Sequence, residues 1–103
     1  MSCFTVLMEV MRERVAQQDK WGEQNHPWLV GGHHWGNFHT ADQARDMVNT
    51  LAAHPRQELD YAGILTEEFH EALEAEDDDI RTELIQVAAV AVAAIESLDR
   101  NGR

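Results

Sequence analysis

The sequence predicts an all-α fold, a single four-helix bundle-like domain over residues 1–103. Apolar residues recur every three or four positions in separate stretches, which is the spacing that one face of a helix requires. Both prolines and most glycines lie between these stretches, where they end regular structure. No alternating strand pattern, repeat or separate linker is found. A chain of this length folds as one domain and buries about 60–70% of its unfolded surface.

The first predicted helix covers residues 4 to about 19 and ends before Gly22. Residues 20–39 follow without periodicity and are rich in Gly, His, Trp and Asn. A long unpatterned segment in so small a domain usually carries function or is mobile. The apolar side of the first helix is predicted to consist of Leu7, Met8, Met11 and Val15.

Two further helices follow this loop. Thr40 and Gln43 form a capping box that opens a helix through about residue 53, and a His-Pro pair at 54–55 stops it. A third helix begins at Glu58 or Asp60 and continues to about residue 75.

The fourth predicted helix covers residues 80 to about 99. The aspartates at 77–79 are predicted to supply its N-cap, and Arg100 and Gly102 suit its C-terminal end. Between Leu84 and Ile95 this helix is apolar on nearly every face, and such a helix is buried all round. Because one chain supplies only three neighbours, we expect a homodimer or a dimer of dimers. A tight monomeric bundle is the alternative.

The net charge of −11, from 19 acidic and 8 basic residues, restricts the possible partners. Such a field repels phosphate backbones and anionic lipid, so nucleic-acid and membrane-surface binding are not expected. A nucleotide would be repelled too, unless bound cations invert the local potential. The single cysteine, Cys3, permits no internal disulfide. We expect a cytoplasmic protein without a signal peptide, and the apolar run at 87–95 is too short to span a bilayer.

Two pairs of side chains carry the most chemical information. Glu68 and Glu71 lie in the third predicted helix, and Glu83 and Gln86 lie in the fourth. Each pair is spaced i, i+3 beside apolar residues, so both members face one side of their helix. Carboxylates crowded there repel each other and lose hydration, which a hard divalent cation offsets. Bundles build metal sites from such pairs on facing helices; the alternative is an ordinary solvated acidic face.

The run Glu67-Glu68-x-x-Glu71, followed by Glu83-x-x-Gln86 in an apolar helix, resembles the MazG-like, all-α nucleoside triphosphate pyrophosphatase superfamily. The pattern of that family is Glu-Glu-x-x-Glu followed by Glu-x-x-Asp. Residues 17–27 are also similar to the segment that precedes the first acidic motif in its members. Together these patches cover about a third of the chain in the expected order. Gln86 departs from the pattern because it replaces an aspartate, and a ligand without charge predicts weaker binding or fewer ions.

The resemblance implies a magnesium-dependent hydrolase that converts a nucleoside triphosphate to its monophosphate and pyrophosphate, in a nucleotide-pool or house-cleaning role. It implies that Glu68, Glu71 and Glu83 hold Mg²⁺, or Mn²⁺, with Gln86 as a weaker ligand. Glu67 adjoins these ligands and is the candidate to orient or deprotonate the attacking water. One alternative is a catalytically weak or inactive relative that binds a nucleotide or a protein. Another is an acidic interaction protein whose carboxylates only solvate the fold.

Recognition of the base requires an aromatic surface with polar groups around it. Trp21 is the candidate to stack on the base, although it could instead anchor the loop against the bundle. The loop also holds four histidines between positions 26 and 39, but no cysteine accompanies them and two are adjacent. A loop that closes over substrate is therefore preferred to a zinc site. The polar candidates for contact with phosphate or sugar are Gln17, Lys20, Gln24 and Asn25.

Overall fold

The computed structural model describes residues 2–54 and 59–102. Within these ranges the chain forms helices without any strand, so the all-α prediction is confirmed. A short 3-10 turn at Trp35–Asn37 separates the first two helices. The α-helices are α1 at Cys3–Trp21, α2 at Ala41–Ala53, α3 at Tyr61–Glu74 and α4 at Asp77–Asn101.

The second helix begins as its capping box predicts, since the Thr40 side chain accepts a hydrogen bond from the Gln43 N–H at 3.1 Å. Asp60 caps α3, whereas the alternative start at Glu58 lies outside the described residues. Gly102 ends α4 in the left-handed conformation, with φ at 71°.

The predicted N-cap of α4 is wrong. Glu76 occupies the N-cap position and its side chain makes no capping hydrogen bond. The aspartates at 77–79 lie inside the first turn, where their charges still complement the positive end of the helix dipole. The helix therefore begins about one turn earlier than its apolar pattern indicates.

The four helices leave the bundle open on one side. An antiparallel hairpin joins α3 and α4 through two residues, 75–76, and forms the centre of the fold. One flank of this hairpin is covered by α2, which packs on α3, and the other by α1, which packs on α4. Because α1 and α2 form no comparably extensive contact with each other, a gap remains between them.

The loop after α1 is docked on the N-terminus of α3. N–H groups in the first turn of α3 donate to the carbonyl oxygens of residues 27–28. The fully buried carboxylate of Asp60 accepts hydrogen bonds from the N–H groups of Gly63 and Val30, at 2.8 and 2.9 Å. It also accepts one from Nδ1 of His33 at 2.9 Å. These bonds satisfy a charge that would be costly to bury alone.

The predicted apolar side of α1 is not buried within one chain. The exposed fractions of Leu7, Met11 and Val15 are 59%, 53% and 53%, and Val10 is the buried residue of the helix. On α4, Ile95 is 59% exposed as well, so one chain leaves part of this helix uncovered, and its burial on all sides stays a prediction that requires a partner chain. The reason is the open arrangement, in which α1 packs mainly on α4. None of the described helices combines the length and hydropathy needed to cross a membrane.

Candidate metal centre

Three glutamates from two helices converge beside the hairpin of α3 and α4. Glu68 and Glu71 lie one turn apart on α3, and Glu83 lies on α4. Each offers a carboxylate oxygen, and the three oxygens lie within 4.8 Å of one another. All three side chains are partly buried. Oxygens at this separation can reach one divalent ion with modest side-chain rotation.

Burial and mutual repulsion disfavour the charged forms of two glutamates in this cluster. Burial, and then the charges of the neighbouring glutamates, raise the pKa of Glu68 to about 7. Burial is also the main cause that raises the pKa of Glu83, and the Glu71 charge adds to it. Within the described residues, the Oε2 atoms of Glu68 and Glu83 are buried without a hydrogen-bond partner. Buried oxygens of this kind fit a hard cation, which satisfies their lone pairs and offsets their mutual repulsion.

Glu67 lies beside this cluster but outside it. Burial and the Glu71 charge raise the pKa of Glu67, and the nearby Arg45 guanidinium opposes this rise. Arg45 on α2 has its Nε atom 3.4 Å from Glu67 and donates from Nη2 to Glu71 at 2.8 Å. Glu67 thus lies next to the expected metal ligands without being one of the three clustered glutamates. This position suits the water-orienting role expected for it.

Gln86 lies on α4, one turn beyond Glu83, and is partly buried. Its amide makes no hydrogen bond within the described part of the chain. The amide oxygen can coordinate a cation, but it adds no charge to the cluster.

A cavity of about 440 Å³ adjoins the acidic cluster. It occupies the gap where α1 and α2 fail to meet, so α1 and α2 form its side walls. Glu67 and Glu68 are its acidic lining residues, which places it next to the proposed metal ligands. Its volume is in the range of small-molecule binding sites. The remaining lining residues are Arg14, Gln17, Trp21, Gly22, Gln24, Val48, Asn49, Ala52, Leu59, Tyr61, Ile64, Val90 and Ala93.

Three of the five predicted substrate residues line this cavity, namely Gln17, Trp21 and Gln24. Lys20 does not, and its ammonium instead lies 4.7 Å from the ring centroid of Trp21. Asn25 is also outside and accepts a hydrogen bond from Arg100 at 3.0 Å. The structure therefore brings Trp21 together with the amides of Gln17 and Gln24 at one cavity. The other two candidates lie outside it and contact Trp21 and Arg100 instead.

Sequence reasoning missed Asn49, Tyr61 and Arg14 as cavity residues. Asn49 projects from α2, which contains no part of the recognised motifs, and its amide makes no hydrogen bond among the described residues. The Tyr61 hydroxyl donates to the carbonyl oxygen of Gln24 at 2.9 Å and so ties the loop to α3. A polar residue between apolar positions of α2 was the available signal for Asn49, but nothing local showed which cavity it faces.

The loop histidines form no metal site in the described residues, where the glutamate triad is the one group of three or more potential ligands. His33 bonds to Asp60, and His26 packs edge-on against Tyr61 with ring centroids 5.4 Å apart. Most of the loop also stays clear of the cavity, because only Gly22 and Gln24 of residues 22–39 line it. His33 and His26 thus help to hold the loop in place, and closure of the loop over substrate stays a prediction.

Comparison of the chain with protein-family models, with curated proteins and with solved structures finds no match in any of the three. The resemblance to MazG-like enzymes therefore stays a prediction that depends on the acidic motifs themselves.

Proposed function

We propose that this chain is a magnesium-dependent nucleoside triphosphate pyrophosphohydrolase of the MazG-like type. The observation that carries the proposal is the contact between two features. An acidic cluster suited to a divalent cation shares Glu68 with a cavity that an indole and amide groups also line. A nucleotide has the matching halves, a phosphate chain that binds metal and a base that stacks and forms hydrogen bonds.

In this proposal Glu68, Glu71 and Glu83 hold Mg²⁺, or Mn²⁺, and Gln86 adds a neutral oxygen. The buried oxygens of Glu68 and Glu83, which lack partners in the described part of the chain, favour this assignment. A bound ion would supply charge neutralisation for the phosphate oxygens. Glu67 lines the cavity beside these ligands and orients the attacking water, accepting its proton.

The charge of the protein favours phosphate binding that is assisted by a metal. The chain has a net charge of −11, and the one arginine that lines the cavity is already paired. Arg14 donates to Glu96 at 2.7 Å and to Gln18 at 2.8 Å. A triphosphate entering this cavity thus meets carboxylates and an arginine that is already neutralised, and a divalent cation reverses the local potential.

Base recognition in this proposal uses Trp21 for stacking and Gln17, Gln24 and Asn49 for hydrogen bonds. Lys20 acts on the indole through its cation–π contact. Asn25 helps hold Arg100, which also donates to the carbonyl oxygen of Gln24 at 3.2 Å. Lys20 and Asn25 thus support the binding surface without lining it.

The test is release of pyrophosphate from a panel of ribo-, deoxy- and modified triphosphates, with and without Mg²⁺. We expect turnover of at least one triphosphate that requires the metal and is lost in Glu68→Ala and Glu83→Ala. Glu13→Ala is the matched control, because Glu13 belongs neither to the glutamate cluster nor to the cavity lining. Absence of turnover on every triphosphate would defeat the hydrolase proposal.

Gln86 favours a second candidate, a catalytically inactive protein that binds a nucleotide or a protein partner. The neutral amide replaces the charged ligand of the family pattern and so weakens the site that catalysis needs. This candidate predicts that a nucleotide with Mg²⁺ raises the melting temperature without forming product. Efficient turnover excludes it.

We also propose that the chain functions as a homodimer or a dimer of dimers. On α1, Phe4, Leu7 and Met11 recur at helical spacing and are each more than half exposed. Exposed apolar stripes of this kind commonly mark an interface. Sedimentation of the wild type and of Leu7→Asp tests the proposal, which predicts an oligomer that the variant dissociates. A monomeric wild type would contradict it.

A further inference from the structure

We infer that Arg45 is a positioning residue of the proposed metal centre, acting from α2 on the carboxylates of Glu71 and Glu67. The inference rests on the proposed function, because a residue can position ligands only if an ion binds there. No proposed metal ligand comes from α2, so Arg45 is the contribution of this helix to the centre.

The guanidinium of Arg45 joins two carboxylates of α3. Nη2 donates to Oε1 of Glu71 at 2.8 Å, and Nε lies 3.4 Å from Oε1 of Glu67. The third nitrogen, Nη1, donates to Asp42 at 2.7 Å. Glu67 and Glu71 are spaced i, i+4, so their charges would otherwise repel. A planar guanidinium can engage both at once and thereby restrict their rotamers.

The geometry indicates that Arg45 does not take the place of the ion. The oxygens of Glu68, Glu71 and Glu83 lie within 4.8 Å of one another while the bond from Arg45 to Glu71 is formed. That bond uses Oε1 of Glu71, and Arg45 makes no hydrogen bond to the second oxygen of this carboxylate. The assembled cluster and the ion pair are thus compatible in one arrangement.

Arg45 also approaches the carboxylates from outside the cavity. Glu67 and Glu68 line the cavity, whereas Arg45 does not. A substrate in the cavity therefore meets the glutamates and not the guanidinium. Groups that hydrogen-bond a ligand carboxylate from behind orient it, and their loss typically weakens metal binding about 10–100-fold.

The experiment measures Mn²⁺ affinity by electron paramagnetic resonance without nucleotide. We expect Arg45→Met to bind Mn²⁺ about 10–100-fold more weakly than the wild type. Arg45→Lys should be intermediate, because one ammonium group bridges two carboxylates poorly. Asp42→Asn is the matched control, since it removes the exposed third partner and leaves both glutamate contacts. Its affinity should stay within about twofold of the wild type.

Circular dichroism during unfolding shows whether each metal-free variant is folded. If Arg45→Met is not folded, the comparison of Arg45→Lys with the wild type decides the test. Equal or tighter Mn²⁺ binding by the Arg45 variants overturns the positioning role and leaves the metal site intact. Absence of Mn²⁺ binding by the wild type overturns the proposed function, and the positioning role with it. The two failures are therefore distinguishable.

Discussion

The indole of Trp35 lies directly over the Cα of Gly63 in the first turn of α3. A Cβ added to Gly63 would lie 2.6 Å from Cη2 and 2.7 Å from Cε2 of the indole. Trp35 is 7% exposed and packs with Val48 and Leu51 of α2 in one cluster of the core. The close approach thus fixes the docked loop, α2 and α3 together, and with them one wall of the cavity.

Gly63→Ala should destabilise the fold by about 1–3 kcal/mol, because the methyl group forces the indole or α3 to shift. Urea unfolding measures this change. Gly36→Ala is the control, since a Cβ at Gly36 meets open space, and it should stay within about 0.5 kcal/mol of the wild type. Equal stability of Gly63→Ala and the wild type would show that the ring is not held there.

The raised pKa of Glu68, about 7 instead of 4.5, makes the metal-free protein less stable as the pH rises. The folded state favours the protonated carboxyl, so this contribution is complete below pH 4.5 and is lost as the pH passes through 7. Glu68→Gln in EDTA should therefore stabilise the protein at pH 8 by about 1–2 kcal/mol, a value reduced for partial solvation.

At pH 4.5 the stability of Glu68→Gln should equal that of the wild type. The control Glu13→Gln should be as stable as the wild type at pH 4.5 and at pH 8. Chemical unfolding at the two pH values provides the comparison. Stabilisation that is equal at pH 4.5 and pH 8 would assign the effect to packing and not to ionisation.

Gln86→Asp should tighten Mn²⁺ binding, on the order of tenfold, because a carboxylate adds charge one turn from Glu83. Calorimetric titration of Mn²⁺ measures the change. Thr82→Asp is the matched control, since it adds the same charge at an exposed position of α4. If both substitutions tighten binding equally, Gln86 does not face the ion.

Trp21→Ala should weaken the binding of a non-hydrolysable nucleotide in Mg²⁺ by about 1–3 kcal/mol, through loss of stacking on the base. Trp28→Ala is the control, because that indole is also exposed but does not line the cavity. Fluorescence or calorimetric titration distinguishes them. Equal losses in both variants would argue for a shared role of the two indoles in holding the loop.

Burial lowers the pKa of His26, and the charge of Asp60 opposes the shift only in part. The neutral ring is therefore favoured in the fold, so stability is present above the ordinary value of 6.5 and is lost as the pH falls below it. His26→Gln should reduce the loss of stability between pH 6.5 and pH 5, whereas the exposed His34→Gln should not. Thermal unfolding across this range measures both, and identical profiles would contradict the assignment.

The sequence by itself determined the four helices, most of their ends and the acidic pairs. Helix periodicity and capping are local, so Thr40 with Gln43 identifies the start of α2 without knowledge of its neighbours. The i, i+3 spacing likewise places Glu68 and Glu71 on one side of α3.

Only the tertiary structure decided what those elements enclose. Whether Leu7 is covered, which side of α2 Asn49 faces and which carboxylates Arg45 reaches all depend on contacts between residues distant in the chain. Local spacing fixes a direction on one helix but not the position of the next helix. The physical reason is that helix packing, and the gap between α1 and α2, arise from side-chain shape across elements and not from any periodic signal.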